Sequence, residues 1–336
     1  ELNRFLLDKA ESFGTVSISF QFKCTDVQFS AKELKIKDSQ SDNPKTHTYD
    51  FLIGADGLGS AVRSAMETQG FASSDLKPLG HGYKELTIPP TVDGDFQMEP
   101  HALHIWPRGQ FMLISLPNMD RSFTCTLFFP MEGDISFATV NSENEITQFF
   151  EDYFPDSIPL LSNLVHEFHT NPTGHLGSVY CDPWHVEDSA VILGDAAHAV
   201  VPFFGQGMNA SFQDCTVLNT LMSEHGGDWQ NILSEFSRIH VKNGHAIADM
   251  ALENYIEMRD KVNDPQYKIR RKLELALENQ FPDRFIPRYS MVSFNQIPYS
   301  KVYQRGALQL KIIEALLDLD PNGKTIDRVI VEKMLN

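Results

Sequence analysis

At 336 residues, with 42% hydrophobic and 22% charged, the chain has the size for two hydrophobic cores and the make-up of an ordinary globular protein. A formal net charge of −17, with no basic arm or Arg-rich stripe, excludes a nucleic-acid-binding role, which needs concentrated Lys and Arg against phosphate. The cysteines Cys24, Cys125, Cys181 and Cys215 are scattered, and His166-Glu167-Phe168-His169 lacks the i, i+4 spacing of a metal-binding helix. No metal site is expected, and the thiols read as reduced, in an intracellular compartment.

The first element is an amphipathic helix with Leu2, Phe5, Leu6, Ala10 and Phe13 on one face and Gly14 as its stop. It opens at Glu1 without a cap or an initiator Met, so the chain reads as a fragment. Val16, Ile18, Phe20 and Phe22 alternate as on a half-buried strand, and Leu34 and Ile36 mark a second. A polar turn spans Asp38 to Pro44, and the apolar run Tyr49 to Ile53 ends at Gly54. Antiparallel strands follow from Ala102 to Pro130, folded at the Pro107-Arg108-Gly109 turn. Ser142-x-x-Glu145 is a capping box for a helix to about Tyr153. A buried strand, Ala190 to Leu193, runs into Gly194; a helix spans Gly205 to about Met222, and from Asp228 the chain is helical with Pro breaks. Leu308 to Leu319, broken by Gln309, Lys311, Glu314 and Asp318, reads as an amphipathic helix, and no run approaches a membrane span. The order α/β, antiparallel sheet, α/β, helices is that of one domain interrupted by another.

Two glycine junctions carry the chemistry. Tyr49 to Ser60, with Gly54-Ala55-Asp56-Gly57-Leu58-Gly59, is a strand, a tight turn and a helix start, where backbone approaches a phosphate closely; equally it describes an ordinary Asx turn. Asp56 would repel a phosphate, so it holds the turn or a hydroxyl. Val191 to Ala199 places Asp195 after Gly194 at the end of a strand, beside the small residues Ala196 and Ala197, where a carboxylate accepts from a sugar or ribityl hydroxyl. Pro202-Phe203-Phe204-Gly205-Gln206-Gly207-Met208-Asn209 then leads into a helix whose positive end suits an anionic ring such as a reduced flavin. His198 reads as a packed or hydrogen-bonded histidine.

The pair Gly54-x-Asp56-Gly57 and Gly194-Asp195, each after a strand and separated by an antiparallel domain, resembles the group A FAD-dependent aromatic hydroxylases. His81-Gly82-Tyr83, Glu85 to Pro90, Leu103 to Arg108, Phe123 to Thr126, Val201 to Asn209, Asn254 to Met258 and Phe285-Ile286-Pro287-x-Tyr289 are similar, within that group, to the kynurenine 3-monooxygenases. That resemblance covers nearly the whole chain and weakens after Phe294. It implies an α/β (α+β) fold: a Rossmann-like FAD-binding domain (1–78 and 179–225), an antiparallel substrate domain (79–178) and a C-terminal helical region (226–336). Ser211 and Gln213 depart from the family's usual Gly and Glu. The family's G-x-G-x-x-G unit, its carboxylate-gripping Arg and Tyr, and its hydrophobic tail are not in this sequence, so the resemblance also implies a piece inactive alone.

The cofactors implied are FAD and NADPH, held by Asp56, Gly57, Arg63, Gly194, Asp195, Pro202, Gly205, Gly207, Met208 and Asn209. The first motif would lie near the pyrophosphate and nicotinamide, the second on the ribityl chain. L-kynurenine, with O2 as co-substrate, would meet Leu103, Met112, Ile114, Leu116, Phe128, Phe203, Gln206, Asn254, Met258 and Tyr289. Alternate strand positions share a face, so the strand residues form an apolar wall, though the same positions also describe plain core. Ile247, Ala251, Asn254 and Met258 form one helical stripe, in which a buried Asn needs a partner, whether ligand or neighbouring backbone. Tyr289 is equally a core tyrosine. No acid–base residue is assigned. By family alone, the location would be the cytosolic face of the mitochondrial outer membrane, reached through the tail. Two further readings stand: a related hydroxylase of another aromatic compound, and a non-catalytic remnant.

Overall fold

The computed structural model describes residues 2–40, 43–261 and 264–335. Helix α1 (Leu2–Glu11) buries none of its residues, and its chain turns at Gly14. The strand expected from Val16 starts only at Phe22. β1 (Phe22–Gln28) pairs on one side alone, with β2 (Glu33–Asp38), which pairs in turn with β3 (Pro44–Thr48). Alternation makes a strand only where another strand supplies hydrogen bonds; among the described residues no strand pairs with residues 16–20, and Val16 and Phe20 stay exposed. Part of the expected polar turn, residues 41 and 42, lies outside the described residues.

After β4 (Leu52–Gly54) and α2 (Ala61–Thr68) comes the long β5 (Ser73–Ile88), then β6 (His104–Pro107), β7 (Met112–Pro117) and β8 (Phe123–Pro130). α3 (Glu143–Tyr153) carries the capping box read from sequence: Ser142 Oγ accepts from Glu145 N while the Glu145 carboxylate accepts from Ser142 N. α4 (Leu164–Thr170), β9 (Gly174–Asp182), β10 (His185–Val186) and β11 (Ala190–Ile192) follow. The remainder is helical: α5 (Asp195–His198), α6 (Gly207–His225), α7 (Trp229–Ile256), α8 (Pro265–Gln280), α9 (Arg288–Phe294), α10 (Tyr299–Leu319) and α11 (Arg328–Leu335). α7 runs into a π-helical turn, Glu257–Lys261.

Two sheets place the site. In the smaller, β4 and β11 are parallel neighbours, with Leu52 opposite Ala190 and Gly54 opposite Ile192. Both glycine junctions therefore leave the same end of one sheet. The larger sheet, in the order β6-β7-β8-β5-β9, is antiparallel throughout. Its long strands β5 and β9 pair through residues 73–83, with a register shift between Pro78 and Gly82.

The pleat of this sheet sorts its side chains into two cores. Leu86, Leu113, Cys125, Leu127 and Phe129 pack with Phe149 and Phe150 of α3, Phe154 just after it and Phe168 of α4. Met112 and Phe128, on the opposite face, join Phe203, Ile247, Met250 and Tyr255 in a second core. A third core lies under the smaller sheet, built from Val62, Met66, Trp184, Val191, Ile192 and Phe236, and a fourth ties α8, α10 and α11 together.

Candidate active site

Two glycines of the first junction, Gly54 and Gly57, have a steric reason. A Cβ on Gly54 would sit 2.9 Å from Val62 Cβ and 3.0 Å from Ile192 Cγ2, so a side chain here would push α2 off the sheet. Gly57 has φ 81°, the region that side chains rarely adopt. Asp56 holds the turn. Its Oδ1 accepts from Ser60 Oγ at 2.5 Å, and its Oδ2 from Ala61 N at 2.7 Å and Val62 N at 3.3 Å. Ser60 Oγ in turn accepts from Arg63 N, so the first turn of α2 is capped twice from within. Arg63 is buried, and its guanidinium reaches two carbonyls, Leu58 O and Ala196 O, each at 2.6 Å.

At the second junction Gly194 takes φ 57° and ψ −141°, and a Cβ there would lie 2.9 Å from Ser211 Oγ. Asp195 opens α5 and is exposed, while Ala196 and Ala197 beside it are buried. The loop continues through Pro202, exposed, and Phe203 and Phe204, buried, to Gly205 at φ 64°. Gln206 Oε1 accepts from Asn209 Nδ2 and from Tyr299 OH, both at 3.1 Å. α6 then starts at Gly207 with no side-chain cap, and Met208 and Asn209 are exposed in its first turn. An uncapped helix start, within contact of the Gly194 turn through Ser211, presents N–H donors and a positive dipole end beside an exposed carboxylate.

Beneath that turn lies a residue the motifs did not single out. Asp214 is 1% exposed and accepts from Gly194 N at 2.9 Å, His198 Nε2 at 2.6 Å and His240 Nδ1 at 3.0 Å. Burial pushes its carboxyl up, but the hydrogen bonds from His198 and His240 and from the Gly194 amide outweigh this and hold it below the usual carboxylate range. The sequence did hold a signal. Ala210, Asp214, Leu218 and Leu221 are the buried stripe of α6, and one member of that stripe is charged. His198 also stacks on Trp184 at 4.9 Å, so it is both packed and hydrogen-bonded.

On the apolar side, Met112, Phe128 and Phe203 are buried in one cluster, with Ile114 and Met258 at its margin. Phe203 lies 4.8 Å from the Phe128 ring and stacks on Tyr255 at 4.2 Å, a neighbour not anticipated from sequence. Leu103 and Leu116 are 45% and 47% exposed and stand outside the cluster. Asn254 donates through Nδ2 to Phe203 O at 2.7 Å and to Met258 Sδ at 3.5 Å, tying α7 to the loop before α6. Tyr289 is 49% exposed and stacks on Phe204 at 5.8 Å. The residues just before these two, Glu253 and Arg288, form an ion pair that joins α7 to α9.

Residues 1–231 match the FAD binding domain family. The kynurenine 3-monooxygenase of Myxococcus xanthus is 45% identical over 326 residues, 97% of this chain and 70% of the relative. That of Stenotrophomonas maltophilia is 42% identical over 336 residues, 100% of this chain and 73% of the relative. The chain belongs to the kynurenine 3-monooxygenase family.

This member of the kynurenine 3-monooxygenase family is an FAD-dependent monooxygenase, and its fold agrees with that assignment. 2-Methyl-3-hydroxypyridine-5-carboxylic acid oxygenase superposes with a TM-score of 0.61 at 19% identity, over 79% of this chain and 68% of that one. Klebsiella pneumoniae HpxO, solved with FAD and uric acid, superposes with a TM-score of 0.58 at 16% identity, over 96% and 71%. The residues present suit a flavin nucleotide: Asp195 is an exposed acceptor for hydroxyls, and the open start of α6 offers donors to an anionic ring. The named relatives are bacterial, which gives no support to a mitochondrial outer membrane. Among the described residues no helix is long and apolar enough to cross a membrane.

Proposed function

We propose that this kynurenine 3-monooxygenase relative hydroxylates L-kynurenine to 3-hydroxykynurenine, with NADPH as reductant and O2 as oxygen donor. The observation that carries the reading is the join of an apolar wall to a polar anchor. Met112, Phe128 and Phe203 meet in one cluster, and Asn254 is bonded to the backbone of that same Phe203. An amphipathic aromatic amino acid needs both surfaces at once.

Bound FAD supplies the redox chemistry, taking electrons from NADPH and activating O2. The chain supplies position. Asp195 accepts from ribityl hydroxyls, and the N–H groups of Gly207, Met208 and Asn209 favour negative charge on the ring. Gly205 and Gly207 let the backbone come close, and Pro202 stiffens the approach to them. Asp56 and Gly57 shape the turn on the nucleotide side, and Arg63 holds that turn against the second. Phe128, Phe203, Met112, Ile114 and Met258 hold the substrate ring and exclude water, with Leu103 and Leu116 at the rim. With both amide hydrogens of Asn254 committed, its carbonyl oxygen is the atom for the substrate's amino group, and Tyr289 takes the carboxylate side. Gln206 acts through the loop it braces with Tyr299.

The protein, at the full length of its relatives and loaded with FAD, is incubated with NADPH, O2 and L-kynurenine, and the product is identified by mass spectrometry. 3-Hydroxykynurenine, lost in Asn254→Ala and formed more slowly by Tyr289→Phe at low kynurenine concentration, is the expected result. NADPH consumption yielding peroxide alone overturns kynurenine as substrate and turns the search to other aromatic compounds.

A further inference from the structure

We propose that Asp214 is a positioning residue for the flavin, locking the Gly194–Asp195 turn to the N-terminus of α6. The inference rests on the reading of that turn and that helix start as the flavin seat.

The three hydrogen bonds to Asp214 come from chosen places. Gly194 N lies immediately before Asp195, and His198 lies one helical turn after it, so Asp214 grips the chain on both sides of the exposed carboxylate. Its third donor, His240, is on α7, the helix that carries Asn254. Asp214 itself sits two turns into α6. Ser211, three residues earlier on the same face, is the atom group a Gly194 side chain would strike. The helix that offers N–H groups at its first turn thus holds, two turns further in, the turn that offers Asp195.

A core stripe of Ala210, Leu218 and Leu221 would be satisfied by another apolar residue at position 214. Burying a carboxylate there costs desolvation that its hydrogen bonds roughly offset, so the arrangement adds little net stability over an apolar residue. What it adds is direction. Hydrogen bonds fix angle and distance, where apolar packing tolerates slippage, and His198 is further fixed between Trp184 and α7, where a Cβ on Gly244 would lie 2.9 Å from His198 Cβ.

The test uses the protein at the full length of its relatives. FAD affinity is measured by fluorescence titration, the visible circular dichroism of bound flavin reports its setting, and thermal unfolding of the apoprotein reports the scaffold. Asp214→Asn is expected to bind FAD about tenfold or more weakly and to change the visible dichroism, because a charge-assisted acceptor of three bonds is lost. A folded Asp214→Asn with native FAD affinity and dichroism overturns the proposal. If Asp214→Asn does not fold, His240→Leu and His240→Gln decide it. Gln keeps an N–H donor, so recovery of affinity in Gln but not Leu supports positioning, and equal affinity in the two overturns it. Asp195→Ala separates the two readings. Native FAD affinity in that variant removes the flavin seat itself, whereas weak binding there alongside a native Asp214→Asn removes only the role of Asp214.

Discussion

Arg63 and Ala196 are 133 residues apart in sequence and joined by a 2.6 Å hydrogen bond, and the same guanidinium holds Leu58 O on its own side. One side chain therefore sets the distance between the two glycine turns. A hydrogen bond to a charged group is worth about 1.5–3 kcal/mol, and a carbonyl left buried without a donor adds to the loss. Arg63→Met is expected to lower unfolding stability by about 2–4 kcal/mol in urea titration, and Arg63→Lys to recover only part, because an ammonium cannot fork across two carbonyls. A loss below about 0.5 kcal/mol for Met would contradict the strut.

Gly194→Ala tests the second turn. The backbone there has φ 57° and ψ −141°, a region costing about 1–3 kcal/mol for a residue with a side chain. The new methyl would also lie 2.9 Å from Ser211 Oγ. The variant should keep its far-ultraviolet dichroism and lose FAD affinity by about tenfold or more. Adding Ser211→Gly removes the clash but not the backbone strain, so recovery should be partial.

Tyr289→Phe isolates one hydroxyl, since the ring remains free to stack on Phe204. If that hydroxyl serves substrate binding alone, steady-state kinetics should show a raised KM for L-kynurenine with kcat unchanged. A fall in kcat with KM constant would instead assign the hydroxyl to the chemical step.

The thiols give a prediction at high pH. Burial pushes Cys125 and Cys181 up to about 12, from a reference value of 9.0. Between those values the unfolded chain loses its thiol protons while the folded chain keeps them, so stability falls as pH rises from about 9 to about 12. Each thiol should contribute a slope of about 1.4 kcal/mol per pH unit within that window, and Cys125→Ala should flatten the alkaline limb by about that amount. Thiol labelling of the native protein should reach the exposed Cys215 first and the buried Cys125 and Cys181 only on unfolding.

What could be read from sequence was local. The capping box at Ser142 and Glu145, the strand-to-glycine junctions at Gly54 and Gly194, and the strands either side of Pro107-Arg108-Gly109 each declare themselves within a dozen residues. The missed features depend on distant partners. Phe20 alternates correctly and still forms no strand, because pairing is decided by what lies alongside. Asp214 sits in an apolar stripe, and its meaning depends on His240, 26 residues on, returning to meet it from α7. Leu116 shares the pleat of Met112 on β7, but burial ends before it reaches Leu116, and Leu103 lies just before β6 begins. Tyr255, beside Asn254, has no local signal of its own, because its meaning lies in the distant Phe203 ring that it stacks on.

The pleat of β8 has an evolutionary consequence. Phe123, Cys125, Leu127 and Phe129 support the aromatic packing with α3 and α4, whereas Phe128 faces the second core. On the proposed reading, neighbouring positions on one strand thus answer to different demands. On that reading, substitutions at the Met112–Phe128 pair would reshape the apolar wall that meets the substrate, while the intervening positions go on supporting the strand. Substrate range can drift in such a scaffold by single steps, each tested against folding on one face and against chemistry on the other.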